Sequence, residues 1–478
     1  ITANGTAVYV EGSDATVDNQ NGQILATGGR AAIELGTDAY LTLQGSGTDQ
    51  AIEGQDAAHG VLIGTGAAGL NVTGARIVVD AAGASGNGIE NAAEISNIQL
   101  NNTTIDVANG AGLRTATSIN PSNSGTINVS GSGRGIDFRH ANASQTSNSL
   151  DLSRSQALQI IVTGADGRGI EADTSGDINT AVTVDVRNAA GGSALFLHNA
   201  GHVTNSGCLQ SNSTAAATVT ANGTSHFTNT EDGNIGTTAT DGVAMQFGDQ
   251  DKILDNAGTI TGAVRLDAGQ STLNNTGSGT ITGNITSTGP TQINMEGGAI
   301  TGNIQTGANI DRLVLNSGTI TGNTHLGDGN DTLIANGGAY VGSIKMGNGS
   351  DTVTFNAGVD LSRLTMIDGD GARDTAPGII NTLNLNNTLT GSATGTGVAG
   401  NASIINLDII NLGNGTHNSR LNLTGDINNG WGDGSVGQMN IANNATLALT
   451  GSTTTANVGY NVRNAGTVDL TESGISPQ

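Results

Sequence analysis

The feature that most constrains this chain is a period. Gly258-Thr-Ile-Thr-Gly262 recurs as Gly279-Thr-Ile-Thr-Gly283, Gly298-Ala-Ile-Thr-Gly302 and Gly318-Thr-Ile-Thr-Gly322. It then weakens to Gly338-Ala-Tyr-Val-Gly342 and Gly358-Val-Asp-Leu-Ser362, with successive copies 21, 19, 20, 20 and 20 residues apart. Between copies lie short alternating stretches such as Leu313-Val-Leu315 and Asp351-Thr-Val-Thr-Phe355. A unit this small cannot bury its own apolar face, so it must stack on copies of itself.

Elsewhere the same grammar is looser. An alternating stretch, a glycine-rich turn and then Gly-Ile or Gly-Leu recur: Ile105-Asp-Val107 leads to Gly112-Leu113, Ile127-Asn-Val129 to Gly135-Ile136, and Ile160-Ile-Val162 to Gly169-Ile170. The 34-residue step from Gly135 to Gly169 predicts an extra loop around 142–154. After residue 376 plain alternation returns, as in Leu383-Asn-Leu385 and Leu447-Ala-Leu449, and no 3.6-residue apolar stripe survives the Asn, Thr and Ser. The chain is therefore expected to be all-β: a right-handed, single-stranded parallel β-helix of roughly 20–24 coils at about 4.8 Å per coil. Three stretches are expected: looser rungs over 1–250, regular 20-residue rungs over 251–375, and C-terminal rungs over 376–478. Asn and Thr at matching positions suit ladders of side-chain hydrogen bonds along the stack.

Composition agrees and removes alternatives. Glycine is 75 of 478 residues, about 16% against an ordinary share of about 7%, and with only 4 prolines it reads as turns. Aromatics are 2%, as expected for a narrow interior of stacked Ile, Val and Leu. A net charge of -24 without a Lys/Arg cluster excludes nucleic acid and anionic membrane as partners. No run of about 18 apolar residues is present, so no helical membrane insertion of this segment is expected. The start, Ile1-Thr2-Ala3-Asn4-Gly5, has no signal-peptide pattern. The single cysteine, Cys208, reads as a small hydrophobe.

One set of residues carries candidate chemistry. Gly327-Asp328-Gly-Asn-Asp331 is matched one period later by Gly347-Asn-Gly-Ser-Asp351, with a looser third copy in Gly369-Asp370-Gly-Ala-Arg-Asp374. These resemble the calcium nonapeptide G-G-x-G-x-D-x-U-x, which implies a calcium site at Asp328, Asp331, Asp351, Asp370 and Asp374. One motif per 20-residue coil departs from that pattern, and solvated acidic turns are the plain alternative. Stacked carboxylates about 5 Å apart also suit a retaining glycosidase. Trp431 is the only tryptophan and Lys252 and Lys345 are the only lysines. Without aromatic stacking platforms, catalysis is not expected.

Other motifs weigh less. Three Gly-x-Gly-x-x-Gly matches are what chance supplies at this glycine content. His198 and His202 are four apart but sit in turn-like sequence. Gly133-Arg134-Gly-Ile-Asp137-Phe-Arg139 and Gly167-Arg168-Gly-Ile-Glu171 bring scarce basic residues beside acids, either as an arginine patch on one face or as ordinary ion pairs.

Taken together, the N-x-G-x-I-x-G rungs, the abundance of Asn, Thr and Gly and the scarcity of Lys and Cys resemble the passenger domain of a bacterial autotransporter. The nearer resemblance is to the self-associating adhesins of the AIDA type. Ile441-Ala-Asn-Asn-Ala-Thr-Leu447 and Asn464-Ala-Gly-Thr-Val-Asp-Leu470 resemble the last passenger rungs before an autochaperone region. The resemblance implies export through an outer-membrane barrel not included in this chain, display on the bacterial surface, and adhesion instead of turnover. Expected partners are copies of itself on neighbouring cells. The alternative is a host glycan or matrix protein held by insertions near 138–155 and 390–403; a polysaccharide-degrading enzyme is the third reading.

Overall fold

A computed structural model describes the chain except for residues 21, 46–50, 81–85, 140–147, 188–189, 370–378, 394–396, 429–435, 451–455 and 471–478. The described residues form 51 strands, and the ladders between them are parallel. The architecture is the all-β parallel solenoid that the period predicts. Its coils group into two compact units, Ile1–Lys252 with Gly258–Arg265, and Ile253–Ala257 with Leu266–Gln478.

In the first unit coil length varies. Thr103 pairs with Gly125, an offset of 22 residues, whereas Ser124 pairs with Ala157, an offset of 33. The long coil is the one with the predicted extra loop. Inward Ile and Val stack in register, as in Ile77, Ile105, Ile127, Ile160 and Val184, each fully or almost fully buried. Facing them is a column of inward glycines: Gly60, Gly88, Gly112, Gly135 and Gly169. A Cβ on Gly112 would lie 2.3 Å from Ile127 Cγ2 and 2.7 Å from the carbonyl oxygen of Gly135. The recurring Gly-Ile and Gly-Leu pairs thus have a packing cause: the glycine gives room to the β-branched residue of the adjoining sheet. Ile136 and Phe138 then point inward while Asp137 and Arg139 point outward, the alternation of a half-buried strand.

Buried asparagines brace the turns. Asn205 Nδ2 donates to Asn229 Oδ1 at 2.9 Å, and also to the Gly207 carbonyl, with both asparagines 0% exposed. An amide can satisfy a turn and the next coil at once, which an apolar side chain cannot.

The second unit opens on regular coils. Ser271 pairs with Thr291, Arg312 with Thr332 and Thr332 with Thr352, each an offset of 20. Later coils lengthen: Thr352 pairs with Thr382, an offset of 30, and Thr382 with Ile409, an offset of 27. The central Ile of the recurring segments, Ile281, Ile300 and Ile320, is fully buried. Gly322, at φ 144°, sits so close to the preceding coil that a Cβ would lie 2.1 Å from the Gly302 carbonyl oxygen. Tyr340 takes the Ile position in its coil, is fully buried, and its hydroxyl donates to Thr324 Oγ1.

Candidate functional site

The Asp column of the second unit is internal. Asp311, Asp331 and Asp351 are each 1% exposed and directly precede strands that stack one on the next. Asp311 Oδ1 accepts the Thr291 amide at 2.6 Å, Asp331 Oδ1 the Asp311 amide at 2.8 Å, and Asp351 Oδ1 the Asp331 amide at 2.8 Å. Asn381 Oδ1 continues the series to the Asp351 amide at 2.9 Å, and Asp408 Oδ2 to the Asn381 amide at 2.7 Å. Each acid thus satisfies a buried N–H of the coil before it. Burial pushes the Asp331 carboxyl up to about 8, and Asp351, Asp311 and Asp328 nearby add to the effect of burial. Burial also raises Asp311. The second carboxylate oxygens of Asp311 and Asp331 are buried without a hydrogen-bond partner among the described residues.

Of the residues expected to bind calcium, Asp331 and Asp351 therefore point into the ladder. Asp328 is exposed, and its Oδ1 accepts a hydrogen bond from Asn348 Nδ2 at 2.7 Å. Asp370 and Asp374 lie outside the described residues. A calcium shell needs six to eight converging oxygens; Asp328 on one side and Asp331 and Asp351 on the other do not converge. Among the described residues no group of three or more His, Cys, Asp and Glu is placed to hold a metal ion.

The two arginine segments of the first unit do come together. Arg134 pairs in register with Arg168, and Asp137 with Glu171. One outward column runs Tyr9, Glu34, Leu62, Glu90, Arg114, Asp137, Glu171, Phe196 through successive coils. Glu171 is 0% exposed because basic groups cover it. Arg134 Nε and Arg168 Nη1 donate to its two oxygens, His198 Nε2 lies at 2.8 Å and Arg139 Nη1 at 3.3 Å. Burial alone would raise the Glu171 carboxyl, but the hydrogen bonds from Arg134 and His198 and the arginine charges outweigh it and hold it below the ordinary range. Arg139 also clasps Asp137 through two bonds, at 2.7 and 2.8 Å. The Arg168 guanidinium stacks over Phe196 at 3.6 Å.

Beside this cluster lies a groove of about 430 Å³ on the outward face of the same unit. His59, Asn87, Glu90, Asn109, Arg114 and Arg134 line it, with Asp137 and Arg139. Burial, reinforced by the Arg114 charge, lowers the His59 pKa. Its Nδ1 accepts the Asn87 amide at 3.0 Å, which fixes the proton of the neutral ring on Nε2. Burial raises the Glu90 carboxyl, opposed in part by Arg114 and by a hydrogen bond from Asn87.

The surface of the second unit carries a different arrangement. Asn284 Oδ1 accepts the Asn303 amide at 2.9 Å, Asn303 Oδ1 the Asn323 amide at 2.9 Å, and Asn323 Oδ1 the Ser343 amide at 3.2 Å. All three asparagines are exposed, each spends its oxygen on the next coil, and their NH₂ groups have no protein partner among the described residues. A second row, Asn316, Asn336, Asn356 and Asn386, is joined Nδ2 to Oδ1 at 2.6–2.9 Å. The recurrence of Asn and Thr at matching positions was visible in the sequence; which atoms remain free was not.

His198 and His202 lie on one strand, Ser193–Asn205, and go separate ways. His198 joins the Glu171 cluster, while His202 stacks on His226 with centroids 4.2 Å apart. Cys208 is half-buried, and burial together with Asp185 raises its thiol, which disfavours the nucleophilic thiolate. No family model, no curated protein and no solved structure matches this chain.

Proposed function

We propose that the chain is an extracellular adhesive segment of a bacterial surface protein, associating with copies of itself through the asparagine rows of its second unit. The observation that carries this reading is the Asn284, Asn303, Asn323 row: exposed amide donors repeated at coil spacing on a rigid backbone. In the same unit, the Asn316 to Asn386 row offers carbonyl oxygens with a remaining lone pair. A surface holding both donors and acceptors in ordered rows is complementary to a second copy. Single amide hydrogen bonds contribute about 1 kcal/mol net. Many acting together along matched rows give avidity without a dominant contact.

The test is sedimentation of the purified chain over a concentration series, with and without EDTA. Association of the wild type is expected, and its loss in the double variant N303D/N323D. Aspartate keeps the oxygen that accepts the next coil's N–H, so the ladder persists, but the outward donor is gone. A wild type that stays monomeric throughout, or a variant that associates as well as the wild type, overturns the reading. Association that disappears with EDTA would place a divalent ion between copies and overturn neutral amide rows as the contact.

A further inference from the structure

We infer that the groove between Arg114, Arg134 and His59 in the first unit is a binding subsite for an acidic sugar, its carboxylate held by the two arginines. This goes beyond self-association and concerns the other unit.

Two guanidiniums face the groove with capacity left over. Arg114 has one ion pair among the described residues, to Glu90 at 4.0 Å, and its side chain is 42% exposed. Arg134 uses Nε for Glu171, and its two Nη groups have no protein partner among the described residues. Glu171 fixes the Arg134 fork from behind, so little side-chain entropy is lost when an anion meets it. By contrast Arg139 is committed to Asp137 and Glu171. A planar carboxylate matches the bidentate geometry of such forks.

The remaining lining selects what carries the carboxylate. His59 Nε2–H is a neutral donor, while Glu90 and Asp137 offer acceptor oxygens on the same face. A bare inorganic anion would meet those acids unfavourably, but a sugar presents hydroxyl donors to them. No apolar side chain beyond Ala111 lines the groove, so an acidic peptide would find nothing to bury its other side chains. A volume near 430 Å³ suits one or two sugar rings. The net charge of -24 sets a further limit, because it repels a densely sulfated polymer at long range while the groove lining, with three arginines against two acids, stays locally positive. The fitting ligand thus has one carboxylate on an otherwise neutral saccharide, whether an internal uronate or a terminal sialate.

The experiment is a set of NMR or calorimetric titrations of the whole chain with glucuronic acid, the methyl glycoside of N-acetylneuraminic acid, glucose and glucuronic acid methyl ester. At least one acid is expected to bind ten times or more tighter than glucose and the ester. Which acid does so distinguishes the uronate source from the sialate source. The variant R114Q, whose one ion pair among the described residues is long and partly exposed, is expected to lose that preference with an unchanged thermal midpoint. R134K, which keeps a charge beside Glu171 but loses the fork, is expected to weaken it as well. Acids that bind no better than glucose and the ester overturn the proposal without any variant. So does an R114Q chain that retains the full preference.

Discussion

At the scale of single residues, the informative group is Asp331. Its carboxyl is raised from an ordinary value near 3.8 to about 8. Between those values the folded chain holds a proton that the unfolded chain has shed, so stability falls as pH rises from about 4 to about 8. The chain already shows the remedy: at the equivalent position Asn381 accepts the same kind of backbone N–H through a neutral amide. Asp331→Asn should therefore fold and should flatten the decline in melting temperature between pH 5 and 8. A slope equal to that of the wild type would reject buried Asp331 as its source. The sequence placed Asp331 and Asp351 one period apart, and that spacing holds. It could not tell which way they face, because Gly-x-Gly-x-Asp reads equally as an outward turn or as an inward strand start. The Glu171 cluster was half legible for a similar reason. Neighbouring Arg-Gly-Ile segments suggested a patch, while His198, 27 residues away, carried no signal that would bring it to the same carboxylate.

At the scale of the strand, the glycines divide into two kinds that composition cannot separate. Some serve turns and close approaches at positive φ, as at Gly302 and Gly322. Others, such as Gly112, lie inside strands and make room for an isoleucine of the adjoining sheet. Gly112→Ala should cost about 1–3 kcal/mol by overpacking against Ile127 and the Gly135 carbonyl. In a unit of this size that corresponds to a drop in melting temperature of roughly 2–12 °C. Gly236→Ala is the matched control, since the nearest atoms to its Cβ would be 3.8 Å away, and it should be nearly neutral. Equal losses at both sites would show that the cost lies in the backbone and not in the packing. The strands themselves were the most legible part, because alternation and the 20-residue period give both the inward face and the register. Coils of 27 to 33 residues were harder to read, since insertions break the period without breaking the ladder.

For the whole molecule, charge and stickiness oppose each other. With 40 acids against 16 basic residues, two copies repel at low ionic strength. The Debye length shrinks from about 30 Å at 0.01 M salt to about 8 Å at 0.15 M. Self-association through neutral amide rows should therefore strengthen several-fold between those conditions, and sedimentation at both salt concentrations measures it. Weakening with added salt would point to ion pairs as the contacts instead. The internal Asp series has a further consequence. Every bond in it runs the same way, from an N–H of one coil to an oxygen of the coil that follows in sequence. Replacing any acid of the series by a residue without an acceptor therefore leaves a buried N–H unmet in the coil before it, at a cost of about 1–3 kcal/mol, and not in the coil after it. The damage from such a change is felt on the amino-terminal side of the altered coil.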